Sequence, residues 1–143
     1  LKAIFEALAH INKNKRVIVP LHPRTKSILE KQHLNYAVEI IDPIGYFDML
    51  ELLQHCNLVV TDSGGVQKEA YFFEKPCLVT RDETEWVELV EHGSNYLVGI
   101  KQENILSAYE KAKSNVVDYS VPFYGNGQSA KNIISYLVKD ELN

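Results

Sequence analysis

Five short apolar runs, each followed by a segment of helical composition, constrain this chain more than any other feature. They are RVIVPL (16–21), AVEIID (37–42), NLVVTD (57–62), PCLVTR (76–81) and NYLVG (95–99). The runs are continuous rather than alternating, so both faces of each strand need cover. Helical patterns occupy 1–12, 22–32, 46–56, 64–73, 84–93, 102–114 and 128–139. In the first of them Leu1, Ile4, Phe5, Leu8 and Ile11 recur at three-to-four spacing. Strands alternating with helices through residue 114 predict an α/β fold, a Rossmann-like parallel sheet with helices on both faces. Such a domain normally begins with a strand, whereas this chain begins with a helix. The strand that should lie centrally is therefore expected upstream of Leu1, and the chain, which does not begin with Met, is expected to be a fragment.

A chain of 143 residues suits one domain. At that size roughly 70% of the unfolded surface is buried, so neither a disulfide nor a metal is needed as a staple. The formal charge of -4 argues against a generic nucleic-acid surface, while leaving room for a local basic pocket. Cys56 and Cys77 sit inside apolar runs and read as buried, reduced thiols, which points to the cytoplasm. No apolar run is long enough to span a membrane. His10, His33, His55 and His92 make no paired spacing and no Cys/His cluster exists, so no metal site is expected.

The stretch TDSGGVQKEAYFF (61–73) carries the chemistry. In open α/β sheets ligands bind beyond the carboxyl ends of the strands, and Asp62-Ser63-Gly64-Gly65 falls at such an end. The glycines allow positive φ and close approach of a ligand. The following helix offers free N–H groups and the positive end of its dipole. Ser63 could cap the helix or give its hydroxyl to an oxygen ligand. Together these features predict a phosphate or diphosphate. Glu69, six residues on, would repel a diphosphate beside it but suits the two hydroxyls of a ribose further along the ligand. The alternative is a tight turn with a surface glutamate.

Three other segments reach strand ends. In HPRT (22–25), His22 could contact a sugar or phosphate and Arg24 could pair with phosphate oxygens; alternatively His22 caps a helix with Pro23 at its first position. Arg81 could neutralise a diphosphate, or bridge to Asp82 or Glu83. FYGNGQ (123–128) reads as a turn before a helix. Trp86, on an apolar helix face, reads as core or interface.

With these residues in hand, the chain resembles the C-terminal half of a UDP-N-acetylglucosamine 2-epimerase. The matching pieces, in family order, are VPLHPRT, IIDPIGYFDML, TDSGGVQKEAYFFEKPCLVTRDETEWVE, NYLVG and YGNGQSA. They cover nearly all of the chain, and the elements DSGG-x-Q-x-EA and RD-x-TE are together highly specific. The resemblance implies one half of a GT-B-like two-domain fold, with residues 1–143 as the C-terminal UDP-binding domain. It implies that Ser63, Gly64 and Gly65 grip the diphosphate, that Glu69 bonds the ribose, and that His22 lies near the cleft. The family inverts C2 by eliminating UDP to a glycal and adding it back, without a cofactor. Its acids and bases lie mainly on the N-terminal domain and on a Gly-His-Arg segment before the first helix, so no catalytic residue is expected in this chain.

Four expectations follow from the resemblance. The substrate is a UDP-amino sugar and the protein a homodimer, with no nucleic-acid or membrane partner. The chain on its own should bind UDP weakly and not turn over. Without a central strand its sheet should have two unpaired inner edges, leaving it marginally stable, dimeric or strand-swapped. Departures from the commonest pattern at Ile44, Met49 and Trp86 put a uracil contact and a phosphate contact in doubt. The TEWVE form resembles a branch that includes epimerases of UDP-2,3-diacetamido-glucuronic acid, which stands as the close alternative. A GT-B glycosyltransferase donor domain and an inactive UDP-binding fragment are the others.

Overall fold

The structure, a computed structural model, describes residues 1–32 and 34–140, with side chains through Val138; His33 lies outside the described residues. The elements are α1 (Lys2–Asn12), β1 (Ile18–Pro20), α2 (Pro23–Lys31), β2 (Glu39–Ile41), α3 (Tyr46–His55) and β3 (Val59–Thr61). There follow α4 (Gly64–Phe72), β4 (Cys77–Val79), α5 (Val87–Glu91), β5 (Asn95–Leu97), α6 (Gln102–Ser114) and α7 (Ser129–Asp140). Every predicted element is present, and each strand is shorter than its apolar run. All strand pairs are parallel.

Packing follows the period-two geometry of β4. Cys77 and Val79 point to one face, where they meet Leu53 of α3 and Ala70 of α4. Leu78 points to the other, against Ala7 of α1 and Ile105, Ala108 and Ala112 of α6. These three β4 residues are wholly buried. Leu78 and Val79 each stabilise the fold by about 1.5–3 kcal/mol. A third cluster, Phe5, Leu21 and Leu29, sits under β1. Helix α1 therefore straddles the molecule, with Phe5 in one cluster and Ala7 in another.

The sheet is in two pieces, β1-β2 and β3-β4-β5. The Leu21 N–H donates to the Ile41 carbonyl and the Glu39 N–H to the Val17 carbonyl, so Ile18 and Pro20 turn their main-chain groups away from β2. On β3, the Val59 N–H donates to the Pro76 carbonyl and the Thr61 carbonyl accepts from the Thr80 N–H, so Val60 turns away from β4. Among the described residues, β1 and β3 each have one unpaired edge, as the sequence led us to expect. Helix α7 leaves Ile133, Ile134 and Leu137 exposed. No helix among the described residues is long and apolar enough to cross a membrane.

One predicted element changes shape. The helix expected over 84–93 begins only at Val87, because the Thr84 hydroxyl accepts the Trp86 N–H at 3.2 Å and holds 84–86 in a turn. It closes at Gly93 as expected, with φ of 85°.

Candidate functional site

The crest of β3 carries the Ser-Gly-Gly turn where the sequence placed it. Ser63 is the N-cap residue of α4, in extended conformation, and its side chain makes no capping hydrogen bond. Its hydroxyl is thus uncommitted, and helix geometry leaves the N–H groups of Gly64, Gly65 and Val66 without intrahelical acceptors. Neither glycine has positive φ. The conformational part of the expectation fails, and what Gly64 supplies is space. A Cβ there would lie 3.0 Å from Oε1 of Glu85, whereas one on Gly65 would meet nothing closer than the Ser63 hydroxyl at 3.9 Å. Gly65 is exposed, so its outer side is open to a ligand.

Glu69 and Gly65 are four residues apart and share a face of α4. A ligand seated at the turn would meet the Glu69 carboxylate about 6 Å further along the helix. Gln67, between them, points inward and is fully buried. One face of α4 therefore builds core and the other faces solvent.

Arg81, at the end of β4, is half-buried and paired with Glu85, with Nη1 at 2.9 and 3.2 Å from its two carboxylate oxygens. Its partner is neither Asp82 nor Glu83, the two the sequence offered. The Glu85 carboxyl is held below the usual carboxylate range first by its own backbone N–H and then by Arg81. The crest thus has its own counter-ion next to the glycine turn. One strand further over, Arg81 also borders an open cavity of about 410 Å³, lined by Asp82, Gly99, Lys101 and Asn104 among others.

His22 caps α2. Its Nδ1 accepts the Arg24 N–H at 3.2 Å, so the neutral ring carries its proton on Nε2, available as a donor. His22 and Arg24 are both exposed beyond the end of β1, which belongs to a different sheet from the strand before the glycine turn. The FYGNGQ turn is structural, with the Gln128 N–H donating to Oδ1 of Asn126 at 3.3 Å. Among the described residues no cluster of His, Cys, Asp or Glu has the arrangement of a metal site.

A strand crest, a glycine turn and an open helix start are shared by many nucleotide-binding proteins. The family model for UDP-N-acetylglucosamine 2-epimerase matches residues 1–138. The chain belongs to this family. A UDP-2,3-diacetamido-2,3-dideoxy-D-glucuronate 2-epimerase of Pseudomonas aeruginosa is 47% identical over 140 residues, covering 97% of the chain and 40% of that relative. A UDP-N-acetylglucosamine 2-epimerase of Methanocaldococcus jannaschii is 39% identical over 145 residues, covering 96% of the chain and 39% of that protein. The structure of the Methanocaldococcus jannaschii UDP-GlcNAc 2-epimerase in complex with UDP-GlcNAc and UDP superimposes with a TM-score of 0.83 at 38% identity, covering 96% of this chain and 40% of that one. The chain thus spans about 40% of the length of the relatives it matches.

Lys68 and Tyr124 of this epimerase-family chain escaped the sequence reading, and so did the role of Trp86. The indole Nε1 of Trp86 donates to the Gly64 carbonyl at 2.8 Å. Lys68 Nζ stands 4.6 Å from the Trp86 ring centroid and 4.3 Å from that of Tyr124. The Tyr124 hydroxyl donates to Glu88 at 2.8 Å. Lys68 lies inside DSGG-x-Q-x-EA and Trp86 directly follows RD-x-TE, the one signal that pointed at them. No local spacing links either to Tyr124.

Proposed function

We propose that this chain is the UDP-holding half of an epimerase acting at C2 of a UDP-linked N-acylated amino sugar. The Ser63–Gly65 turn carries the reading: three unsatisfied N–H groups and a free hydroxyl at a strand crest, with Glu69 on the same helix face. Here Ser63, Gly64 and Gly65 hold the diphosphate, Glu69 accepts from the ribose hydroxyls, and Arg81 moves from Glu85 to the phosphates. His22 offers its Nε2–H from across the crest. When the bond from C1 to the UDP oxygen breaks, negative charge gathers on the β-phosphate. Fixed amide donors and the helix dipole stabilise that charge, each by about 0.3–1 kcal/mol and more where partly buried. The same groups hold the freed UDP in place for its return.

The acid–base groups belong, in this proposal, to the remainder of a longer two-domain protein. An upstream strand fills the space between the unpaired edges of β1 and β3, making one sheet. The free thiols of Cys56 and Cys77 fit a reducing cytoplasm. Titration calorimetry of the chain with UDP and with UMP tests the seat. We expect measurable, weak binding that prefers UDP, and indifference to the second phosphate would remove the role given to residues 63–65. For the whole protein, proton NMR in deuterated water should show inversion at C2 with deuterium entering at C2.

UDP-N-acetylglucosamine is the first substrate to try. A second reading, the 2,3-diacetamido-glucuronate sugar, is favoured by the 47% identity to the Pseudomonas aeruginosa relative and by Trp86 in the TEWVE form. Comparing kcat/KM for the two nucleotide sugars decides between them. Transfer to an acceptor in place of inversion would instead indicate a glycosyltransferase.

A further inference from the structure

We propose that Trp86, clamped by Lys68 and Tyr124, is a positioning residue that orients the Gly65 N–H toward the diphosphate, an inference that rests on the UDP-binding reading above. The Gly64 carbonyl and the Gly65 N–H belong to one planar peptide group and point in opposite directions. The indole hydrogen bond to Gly64, 2.8 Å long, therefore sets the direction of the Gly65 N–H as well. A Gly-Gly pair is the most conformationally free of dipeptides, so its orientation needs an outside anchor. As the first helical residue, Gly64 uses one carbonyl lone pair for the helix ladder, and the second takes the indole. Donation to the carbonyl also polarises the peptide group, which makes the N–H at its other end a better donor.

The indole is itself held from several sides. Lys68 Nζ sits in the corner between the near-perpendicular rings of Trp86 and Tyr124, a position favoured by the negative faces of both rings. Tyr124 meets Trp86 edge-on, with centroids 5.8 Å apart and planes at 85°. Its hydroxyl is tied to Glu88. The main chain of Trp86 is fixed by the Thr84 hydroxyl. The ring has little freedom to leave Gly64, and the cation of Lys68 is held one helical turn from the seat.

The chain has a single tryptophan, so its emission reports on this contact alone. The test is a titration of the 143-residue chain with UDP and UMP, followed by tryptophan emission and calorimetry, for the wild type, Trp86→Phe and Lys68→Met. Trp86→Phe keeps the ring but loses the N–H, and should weaken UDP about fivefold to tenfold while leaving UMP within about twofold. UDP, and not UMP, should shift the wild-type emission. Lys68→Met, which keeps an unbranched stem, should change the emission of the free protein and narrow the UDP preference. A purely structural role would weaken both nucleotides alike. If the wild type prefers UDP but its emission is unmoved, or if Trp86→Phe keeps the full preference, the clamp is overturned and the UDP reading survives. If the wild type shows no preference for UDP, both fall. Should Trp86→Phe fail to fold, the wild-type emission and Lys68→Met still decide.

Discussion

The Thr84 hydroxyl donates to Oε1 of Gln67 at 2.6 Å and joins the two most specific motifs of the chain. Gln67 is fully buried and Thr84 half-buried. The same Thr84 oxygen accepts the Trp86 N–H. A relay from Trp86 through Thr84 to Gln67 therefore sets the loop after β4 at a fixed distance from α4. Thr84→Val keeps the shape of the side chain but leaves the Gln67 oxygen without its donor, which should cost roughly 1–3 kcal/mol. Adding Gln67→Leu removes the orphaned group, so the double variant should lose less than the sum of the single changes. Urea unfolding of the four proteins measures this, and strict additivity would mean that the two side chains act separately.

Gly64→Ala separates a functional glycine from a structural one. No positive φ is required there, and alanine is the better helix former by about 0.5–1 kcal/mol. The new methyl would meet the Glu85 carboxylate at 3.0 Å, and that carboxylate is pinned by Arg81 at 2.9 Å. The substitution should leave Tm unchanged or raised while displacing the ion pair beside the seat. UDP affinity should fall about tenfold, or about 1.4 kcal/mol. A stable variant with unaltered affinity would place the ligand elsewhere.

How much of this was legible in the sequence differs from element to element. The β4 run Cys-Leu-Val could be read as a strand covered on both faces, because continuous apolar character has that single physical outcome. Ser63–Gly65 could be placed at a crest, because strand end and helix start fix the turn between them. Strand lengths were overestimated: a ladder extends only as far as both partners do, and no single run reports its partner. The partner of Arg81 was missed for a similar reason. Asp82 and Glu83 are nearer in sequence, but the turn at 84–86 brings Glu85 back over the guanidinium. The indole contact to Gly64 spans 22 residues, and only three-dimensional packing reveals it.

Cys77 should be chemically silent in the folded protein. It is wholly buried, and burial pushes its thiol up to about 12 from an ordinary 9.0. At pH 8 roughly one molecule in ten thousand carries the thiolate, the reactive form. Cys56 is also raised, chiefly by burial. A disulfide reagent at pH 8 should therefore leave Cys77 unmodified until urea exposes it. The neutral thiol is favoured in the fold, so its contribution to stability is complete below 9.0 and is lost as pH rises through about 12. Rapid labelling of Cys77 in the absence of denaturant would mean that the face between α3, α4 and β4 opens readily.

The unpaired edges of β1 and β3 make a prediction about stability that is independent of any ligand. Ile18, Pro20 and Val60 turn main-chain groups away from their partner strands, and such edges invite pairing with another chain. Pro20 has no N–H to offer, so an incoming strand finds only an acceptor there. Helix α1 already bridges the clusters on the two sides through Phe5 and Ala7, which suits the place of a helix crossing back from a central strand. The chain alone should self-associate as its concentration rises, seen by sedimentation. A version extended upstream by one strand should be less prone to this and more resistant to urea. Two newly buried aliphatic side chains would add roughly 3 kcal/mol or more. Equal urea midpoints, together with a chain that stays monomeric at every concentration, would show that the two half-sheets are stable as they stand and need no further strand.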